Sequence, residues 1–394
     1  MNLSSTGEKC ARGLLLLVLF AAPAALAAAE GDTWIVFECN RPNPESDERT
    51  YWDIWKLDPD ANDWDQTGAD CDLFGDPLTT DPANEWDPTY SAVNQSVVFV
   101  SDKDGWPHLW KVSIDGGYWE GFLFGQYSTV DPCYSFDGTK IAYASNQNGN
   151  WDIFVMDTSG YDKTQITTNS GDDRSPCFST DGTKIYFISN RDAGQIGDWE
   201  IYVVNAGGGT ASKAIVNSSG QALLLNYTEH DPCCSPTDDD IIVFATNKAT
   251  PTYTEQVDRI NFELWEYSIS GKNITRLTES WNDAESKQMW NSSMPCFSPD
   301  GERIAWSADN WTSVSWQKHI QGRPPYDPSY WKPDDRGQGS SHQIWTRELN
   351  QTDHCYWFSP STWGYSGGEY PGRGYWEGGH QHHKHYNPSW DEQP

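Results

Sequence analysis

Hydrophobic and polar residues recur in one order along most of the chain. Short apolar runs occur in pairs, and a tight polar turn such as FDGTK or SPDGER precedes the first run of a pair. First runs read VVFVS, IAYAS, IYFIS, IVFAT and IAWSA, and second runs are of the type WDIFVMD or WEIYVVN. β-Branched and aromatic residues in runs of this length are typical of half-buried strands. The pattern therefore predicts an all-β chain built from a repeated unit.

Each unit begins with a short segment around a proline and ends with a short run such as TQITT, which gives four predicted strands, a to d. The prolines are Pro88, Pro132, Pro176, Pro232, Pro295 and Pro388, at spacings of 44, 44, 56, 63 and 93 residues. The two shortest spacings match one four-stranded propeller blade per repeat, and the longer ones contain insertions.

The two ends of the repeated region complement each other. The N-terminal unit begins at strand b, WIVFE, with no proline segment before it, and HYNPSWDEQP at the C-terminus has no strand b after it. Six proline segments and six b–c pairs match only if residues 386–390 lie against residues 34–38. The sequence therefore predicts a six-bladed β-propeller, closed by the C-terminal strand pairing into the N-terminal blade, with no open edge.

The pattern P-x-aromatic-S-x-D-G-x-x-I, followed by W-[DE]-I-[FY] and L/I-T, resembles the TolB-like (WD-repeat-like) β-propeller family. The resemblance covers most of residues 33–394 and implies that strand a lines a central channel. It does not imply one function, because the family includes periplasmic binding components, protease-associated domains and polysaccharide lyases.

The first 29 residues differ from the rest. Lys9 and Arg12 precede the apolar run LLLLVLFAAPAALAAA, which is short for a bilayer span and ends in small residues suited to cleavage. We expect residues 1–29 to be a signal peptide and residues 30–394 a single propeller domain. The mature protein is then secreted or periplasmic, without membrane insertion.

The formal net charge of −31 limits the partners. Such a surface repels nucleic acid and favours cations and basic partners. The alternative is that the acidity serves solubility alone. Four cysteines share one repeat position, Cys133, Cys177, Cys233 and Cys296, and we interpret them as buried packing residues rather than disulfide partners.

Long insertions fall mainly on one predicted face, chiefly residues 309–342 and 359–385. They are rich in aromatic residues that can stack on a sugar or hold a peptide, including Trp311, Tyr330, Trp331 and Trp363. The alternative is that these rings form a small core within the loops.

Polar residues precede each proline and should converge on the channel mouth. The ligand-binding candidates among them are Trp86, Arg174, His230 and Tyr386. The metal-ligand candidates are Asp87, Asp131, Glu229, Asp231, His383 and His385. Carboxylates alone suit Ca²⁺, and added histidines suit Zn²⁺ or Mn²⁺. The alternative is that Asp-Pro steps cap turns and that the histidines are solvated.

The sequence thus predicts an exported binding or scaffold module for a glycan or protein partner. A metal-dependent polysaccharide lyase, or another carbohydrate-active enzyme with its site at the channel mouth, is the alternative. The prediction leans away from an enzyme, because uronate substrates need basic residues and only Arg174 lies near the mouth.

Overall fold

The computed structural model describes residues 34–39, 52–57, 76–192, 199–224, 227–248, 262–278, 288–312, 341–348 and 355–358. Within these ranges the chain forms six antiparallel sheets and contains no α-helix. Five sheets have four strands and one has three. The strands of every sheet are arranged in chain order, as the repeat predicted. The all-β prediction is therefore confirmed.

The bounds of the strands follow the repeat. Sheet 1 contains β1 (Ile35–Cys39), β2 (Asp53–Leu57) and β3 (Asp76–Pro77). Sheet 2 contains β4 (Glu85–Ser91), β5 (Ser96–Ser101), β6 (His108–Ser113) and β7 (Glu120–Gly121). Sheet 3 contains β8 (Thr129–Tyr134), β9 (Lys140–Ser145), β10 (Asp152–Asp157) and β11 (Thr164–Gln165). Sheet 4 contains β12 (Asp173–Phe178), β13 (Lys184–Ser189), β14 (Glu200–Asn205) and β15 (Ser212–Lys213). Sheet 5 contains β16 (Glu229–Cys234), β17 (Ile241–Thr246), β18 (Glu263–Ser268) and β19 (Asn273–Arg276). Sheet 6 contains β20 (Gln288–Phe297), β21 (Arg303–Thr312), β22 (Ser341–Glu348) and β23 (Cys355–Phe358).

The second strands of sheets 2 to 5 are apolar and buried along most of their length. Val97, Val98, Phe99 and Val100 of β5 are all fully buried. Continuous apolar runs of this kind mark strands that pack on both sides. The buried residues of sheets 2, 3 and 4 join in one cluster, so neighbouring sheets share a core. A single sheet could not bury both of its faces alone.

The first strands, β4, β8, β12, β16 and β20, contact one another in that order and form the inner wall. We call the end at which these strands begin the mouth end. The opposite end, where tight turns lead to the second strands, is the turn end. In the turn after β8, Asp137 Oδ1 accepts hydrogen bonds from Ser135 Oγ at 2.6 Å and from the Thr139 N–H at 3.0 Å. Gly138 fits there because its φ of 68° is left-handed.

The described part of sheet 1 has β1 at its inner side, next to β4. The predicted closing segment, residues 386–390, lies outside the described residues. Residues 1–33, which include the predicted signal peptide, lie outside them too. Among the described residues, no helix is long and apolar enough to cross a membrane.

The cysteine prediction holds in part. Five cysteines of the described ranges are free thiols, and Cys177 and Cys234 are buried. Cys133 and Cys233 are half-buried, and Cys296 is exposed, so not all of them are core residues. The Cys234 N–H donates to Cys177 Sγ at 3.1 Å, which joins two adjacent inner strands. The thiols therefore act as contacts between sheets as well as packing groups.

Candidate functional site

Every inner strand carries a β-bulge at the residue before its proline. The register with the second strand shifts at this point in all five inner strands. The bulged residues are Asp87, Asp131, Ser175, Asp231 and Met294, whose φ values lie between 48° and 53°. Left-handed backbone is uncommon outside glycine, and repeated strain of this kind marks a constrained position. We call these five residues the bulge ring.

Hydrogen bonds connect the bulge ring from one sheet to the next. Asp131 Oδ2 accepts from the Ser175 N–H at 2.9 Å, and Asp231 Oδ2 accepts from the Met294 N–H at 3.0 Å. The Asp87 N–H donates to Glu38 Oε2 of sheet 1 at 3.2 Å. A bulged residue does not use its N–H in the strand ladder, so the N–H can donate sideways. The aspartates therefore link neighbouring sheets.

One guanidinium faces the ring carboxylates. Arg174 Nε donates to Asp131 Oδ2 at 2.6 Å, and Nη2 donates to Oδ1 at 3.1 Å, a bidentate pair. The guanidinium also lies 4.3 Å from the centre of the Trp151 ring. Only 5% of the Arg174 side chain and 13% of the Asp131 side chain are exposed. This is a buried ion pair, held in place from below by an aromatic ring.

The ring carboxyls differ in their affinity for protons. Burial, followed by repulsion from Asp131 and Glu38, raises the pKa of Asp87 well above its ordinary value. Burial opposes the ionisation of Asp131, but the guanidinium of Arg174 lowers its pKa below the ordinary value. Burial raises the pKa of Asp231 to about 6, although the Met294 N–H opposes the shift. The surroundings therefore favour the protonated form of Asp87 and the charged form of Asp131.

A second group of acids lies deeper, between the sheets, two residues before the bulges. Glu85 and Asp173 are fully buried and Glu229 is 3% exposed. Both oxygens of Asp173 accept from Arg191 Nη2 at 2.9 Å. Glu229 Oε2 accepts from the Ile201 N–H at 2.7 Å. Glu229 thus fastens its inner strand to the preceding sheet, whereas Asp173 forms an ion pair within its own sheet.

The predicted site residues divide into three groups. Asp87, Asp131, Asp231 and Arg174 come together at the mouth end. Glu229 contacts the backbone of β14 instead, and His230 is 1% exposed and meets the ring of Phe262 edge-on at 5.1 Å. Burial lowers the pKa of His230 to about 3, so its ring is neutral. Trp86 is half-buried against the shared core. These three residues serve packing in this structure.

The remaining predicted residues are not placed. Tyr330, Trp331, Trp363, His383, His385 and Tyr386 lie outside the described residues. Trp311 belongs to β21, but only its backbone is described. Within the described ranges, no three or more His, Cys, Asp or Glu side chains are arranged to hold a metal ion. The Ca²⁺, Zn²⁺ or Mn²⁺ site thus stays a prediction.

Sequence reasoning missed three residues at the mouth. Glu38 receives the Asp87 N–H, Trp151 supports Arg174, and Met294 is 46% exposed within the ring. The sequence contains a signal for Met294, because this residue precedes Pro295 just as the ring aspartates precede their prolines. Nothing in the sequence indicates that Glu38 and Trp151 reach the ring, because those contacts cross between sheets.

The fold is that of a β-propeller, and its inner strands carry the bulge ring at the mouth end. Residues 124–294 match the family model described as the TolB beta propeller domain. The predicted resemblance to this family is confirmed over these residues.

Solved structures show the same fold. TolB from Acinetobacter baumannii is 18% identical, with 71% of this chain and 61% of that chain covered and a TM-score of 0.50. Hydrazine synthase from Kuenenia stuttgartiensis is 17% identical, with 75% and 45% covered and a TM-score of 0.50. An oligogalacturonate lyase from Vibrio parahaemolyticus is 12% identical, with 83% and 72% covered and a TM-score of 0.43. At these identities, the two structures with a TM-score of 0.50 show the fold alone.

Proposed function

We propose that this protein is a binding module that receives a positively charged group of a protein partner in the bulge ring. One observation carries the proposal: Asp87, Asp131 and Asp231 interact at the mouth end, Arg174 pairs with Asp131, and burial followed by repulsion from Asp131 raises the pKa of Asp87. Carboxyls this close together are costly unless they are protonated or meet a cation. The overall charge of −31 favours a basic partner in the same way.

The bound group is a lysine or arginine side chain rather than a metal ion. Asp131 is already engaged by Arg174 through both oxygens, which leaves Asp87 and Asp231 as ring carboxylates for a ligand. Ca²⁺ takes six to eight oxygen ligands, whereas two carboxylates suffice for an ammonium or guanidinium group. A cation between them lowers the pKa of Asp87, so binding releases a proton.

The test is titration calorimetry with the peptide Gly-Arg-Gly-Arg near pH 7, in buffers of different ionisation enthalpy. We expect proton release and affinity that weakens as salt rises. The double variant Asp87→Asn/Asp231→Asn should weaken binding at least about tenfold. The control is Asp115→Asn/Asp239→Asn, which makes the same two acid-to-amide changes at exposed positions at the turn end.

Equal loss in both double variants would assign binding to the overall charge and contradict the proposal. Binding without proton release would show that Asp87 does not take part in the proposed binding site. If the peptide binds only after Ca²⁺, Zn²⁺ or Mn²⁺ is added, the predicted metal site replaces the side-chain proposal. The glycan alternative concerns the aromatic insertions outside the described residues, and the peptide titration does not involve it.

We also propose that the six sheets are six blades of a closed ring in an exported protein, secreted or periplasmic. The three-stranded sheet 1, with β1 at its inner side, supports closure by residues 386–390. Truncation after residue 385 should then speed hydrogen exchange of the amides of Ile35–Cys39 at least about tenfold, because β1 loses a partner. The amides of Lys140–Ser145 are the internal control. Unchanged exchange in β1 would contradict closure.

A further inference from the structure

A cleft of about 540 Å³ lies at the turn end, on the opposite side from the bulge ring. Its walls come from sheets 2 and 3: the turn before β5, the end of β6, the start of β7 and the turn after β10. Binding sites for small molecules usually measure about 300–1,000 Å³. The cleft therefore has the size of a ligand site, and the site at the mouth does not use it.

Exposed aromatic residues stand at this cleft. Tyr118 lines it and is 93% exposed, and Tyr161, in the turn that contributes Thr158, is 72% exposed. The backbone beside Tyr118 is fixed, because Trp119 packs edge-on against the buried Phe99 at 5.1 Å. Because the backbone is fixed, a ligand that stacks on the flat Tyr118 ring has to order only the two side-chain torsions of this tyrosine. Nothing in the fold requires a tyrosine to project into solvent here.

The cleft floor is polar and its charges are balanced. Lys111 Nζ and Glu120 form an ion pair at 2.8 Å, and Nζ also donates to the Thr158 carbonyl at 3.3 Å. The hydroxyls of Ser96 and Tyr134 are 2.9 Å apart. The Glu120 side chain is 56% exposed, so it can accept further hydrogen bonds. An ammonium, a carboxylate and hydroxyls beside an aromatic platform match the alternating hydroxyls and apolar C–H face of a sugar ring.

We propose that this cleft binds a neutral saccharide of one or two rings, with Tyr118 stacked on the sugar and the Lys111–Glu120 pair bonded to adjacent hydroxyls. A neutral ligand fits because lysine and glutamate already compensate each other. This site is separate from the bulge ring and does not depend on the function proposed for that ring.

The test uses maltose, cellobiose and N,N′-diacetylchitobiose, each measured by saturation-transfer NMR and calorimetry with the full chain. We expect at least one to bind, with a Kd of about 1 mM or below. Tyr118→Ala should weaken binding about tenfold through lost stacking. Glu120→Gln should weaken it through loss of a charged acceptor. Because the Tyr118 side chain is almost fully exposed, the variant should melt like the wild type.

Trp106→Ala is the matched control, since Trp106 is an aromatic residue that is 44% exposed and follows β5 at the mouth end. It should leave saccharide affinity unchanged, as should Asp87→Asn/Asp231→Asn. If none of the three sugars binds at about 20 mM, the proposal is overturned. It is also overturned if Tyr118→Ala and Trp106→Ala bind the sugars with the same affinity.

Discussion

Replacing Arg174 by methionine is expected to lower the free energy of unfolding by about 3–5 kcal/mol at pH 7, because it leaves Asp131 buried without its cation. Methionine keeps most of the apolar stem over Trp151, so packing changes little. The Asp131 carboxylate retains the Ser175 N–H at 2.9 Å but faces Asp87 and Asp231 with no positive charge beside it. Urea denaturation followed by tryptophan fluorescence measures the loss.

The pH dependence identifies the cause. In the wild type the pKa of Asp131 is lowered, so its contribution to stability is present above the unfolded value near 4 and is lost as pH falls through the folded pKa. Without Arg174 the burial of Asp131 is unopposed, and the carboxyl should prefer its protonated form. The gap between wild type and variant should therefore be small at acid pH and should grow as pH rises until Asp131 of the variant ionises.

The control is the double variant Arg174→Met/Asp131→Asn, which removes both charges and keeps an oxygen that can accept the Ser175 N–H. It should recover at least half of the loss, because the penalty belongs to the unpaired carboxylate rather than to the missing ion pair. If the double variant is as unstable as Arg174→Met, the guanidinium acts through packing and the electrostatic account is wrong.

Replacing Glu85 by glutamine is expected to stabilise the protein at pH 8 by about 3 kcal/mol, the second large effect. Burial raises the pKa of Glu85 to about 9, and burial also raises the pKa of Asp53, its neighbour from β2, to about 7. Both side chains are buried, and Glu85 Oε1 accepts from Ser101 Oγ at 3.0 Å. Glutamine reproduces the protonated acid, because it keeps this acceptor and offers an N–H to Asp53.

The sign follows from proton counting. Between the unfolded pKa near 4.3 and the folded pKa near 9, the folded state binds more protons than the unfolded state. Wild-type stability therefore falls as pH rises through this window. The variant lacks the Glu85 contribution, so it should match the wild type near pH 4 and exceed it increasingly up to pH 8. Denaturation midpoints at pH 4, 6 and 8 provide the comparison.

Asp173→Asn is the matched control, because Asp173 has the equivalent position in sheet 4 but is paired with Arg191. Here the same acid-to-amide change should destabilise the protein at pH 8 by at least about 2 kcal/mol, since it leaves a buried guanidinium without its carboxylate. If both variants are more stable than the wild type at pH 8, or both are less stable, the pairing of the acid does not determine the sign of the change in unfolding free energy.

The equivalent junctions of the sheets differ in what neutralises their acids. Asp173 meets Arg191, and Glu200 beside Glu229 meets Lys213, whereas Glu85 and Asp53 rely on a retained proton. Raising the pH should therefore weaken the attachment of sheet 1 to sheet 2 before it affects the junction at Asp173. Sheet 1 is also the sheet that the proposed closure completes.

The sequence by itself determined the strands and their order. The apolar runs, the D-G turns and the spacing of the prolines depend on interactions within about 45 residues, and such local preferences can be read directly. It also indicated that Asp87, Asp131, Arg174 and Asp231 gather at the mouth, because a repeated position on neighbouring sheets must recur around one axis.

Only the tertiary structure decided what each of these residues does. The left-handed bulge turns Asp131 toward Arg174 and the Ser175 N–H. In β16, Glu229 and His230 lie next to Asp231 in the sequence, but their side chains are buried between the sheets. Burial and the charge of the partner set each pKa, and for Asp131 that partner, Arg174, is 43 positions away in the sequence. A pattern that repeats in the sequence determines the position of a residue in its strand. The neighbouring sheet determines whether the side chain of that residue contacts a cation, a backbone N–H or solvent.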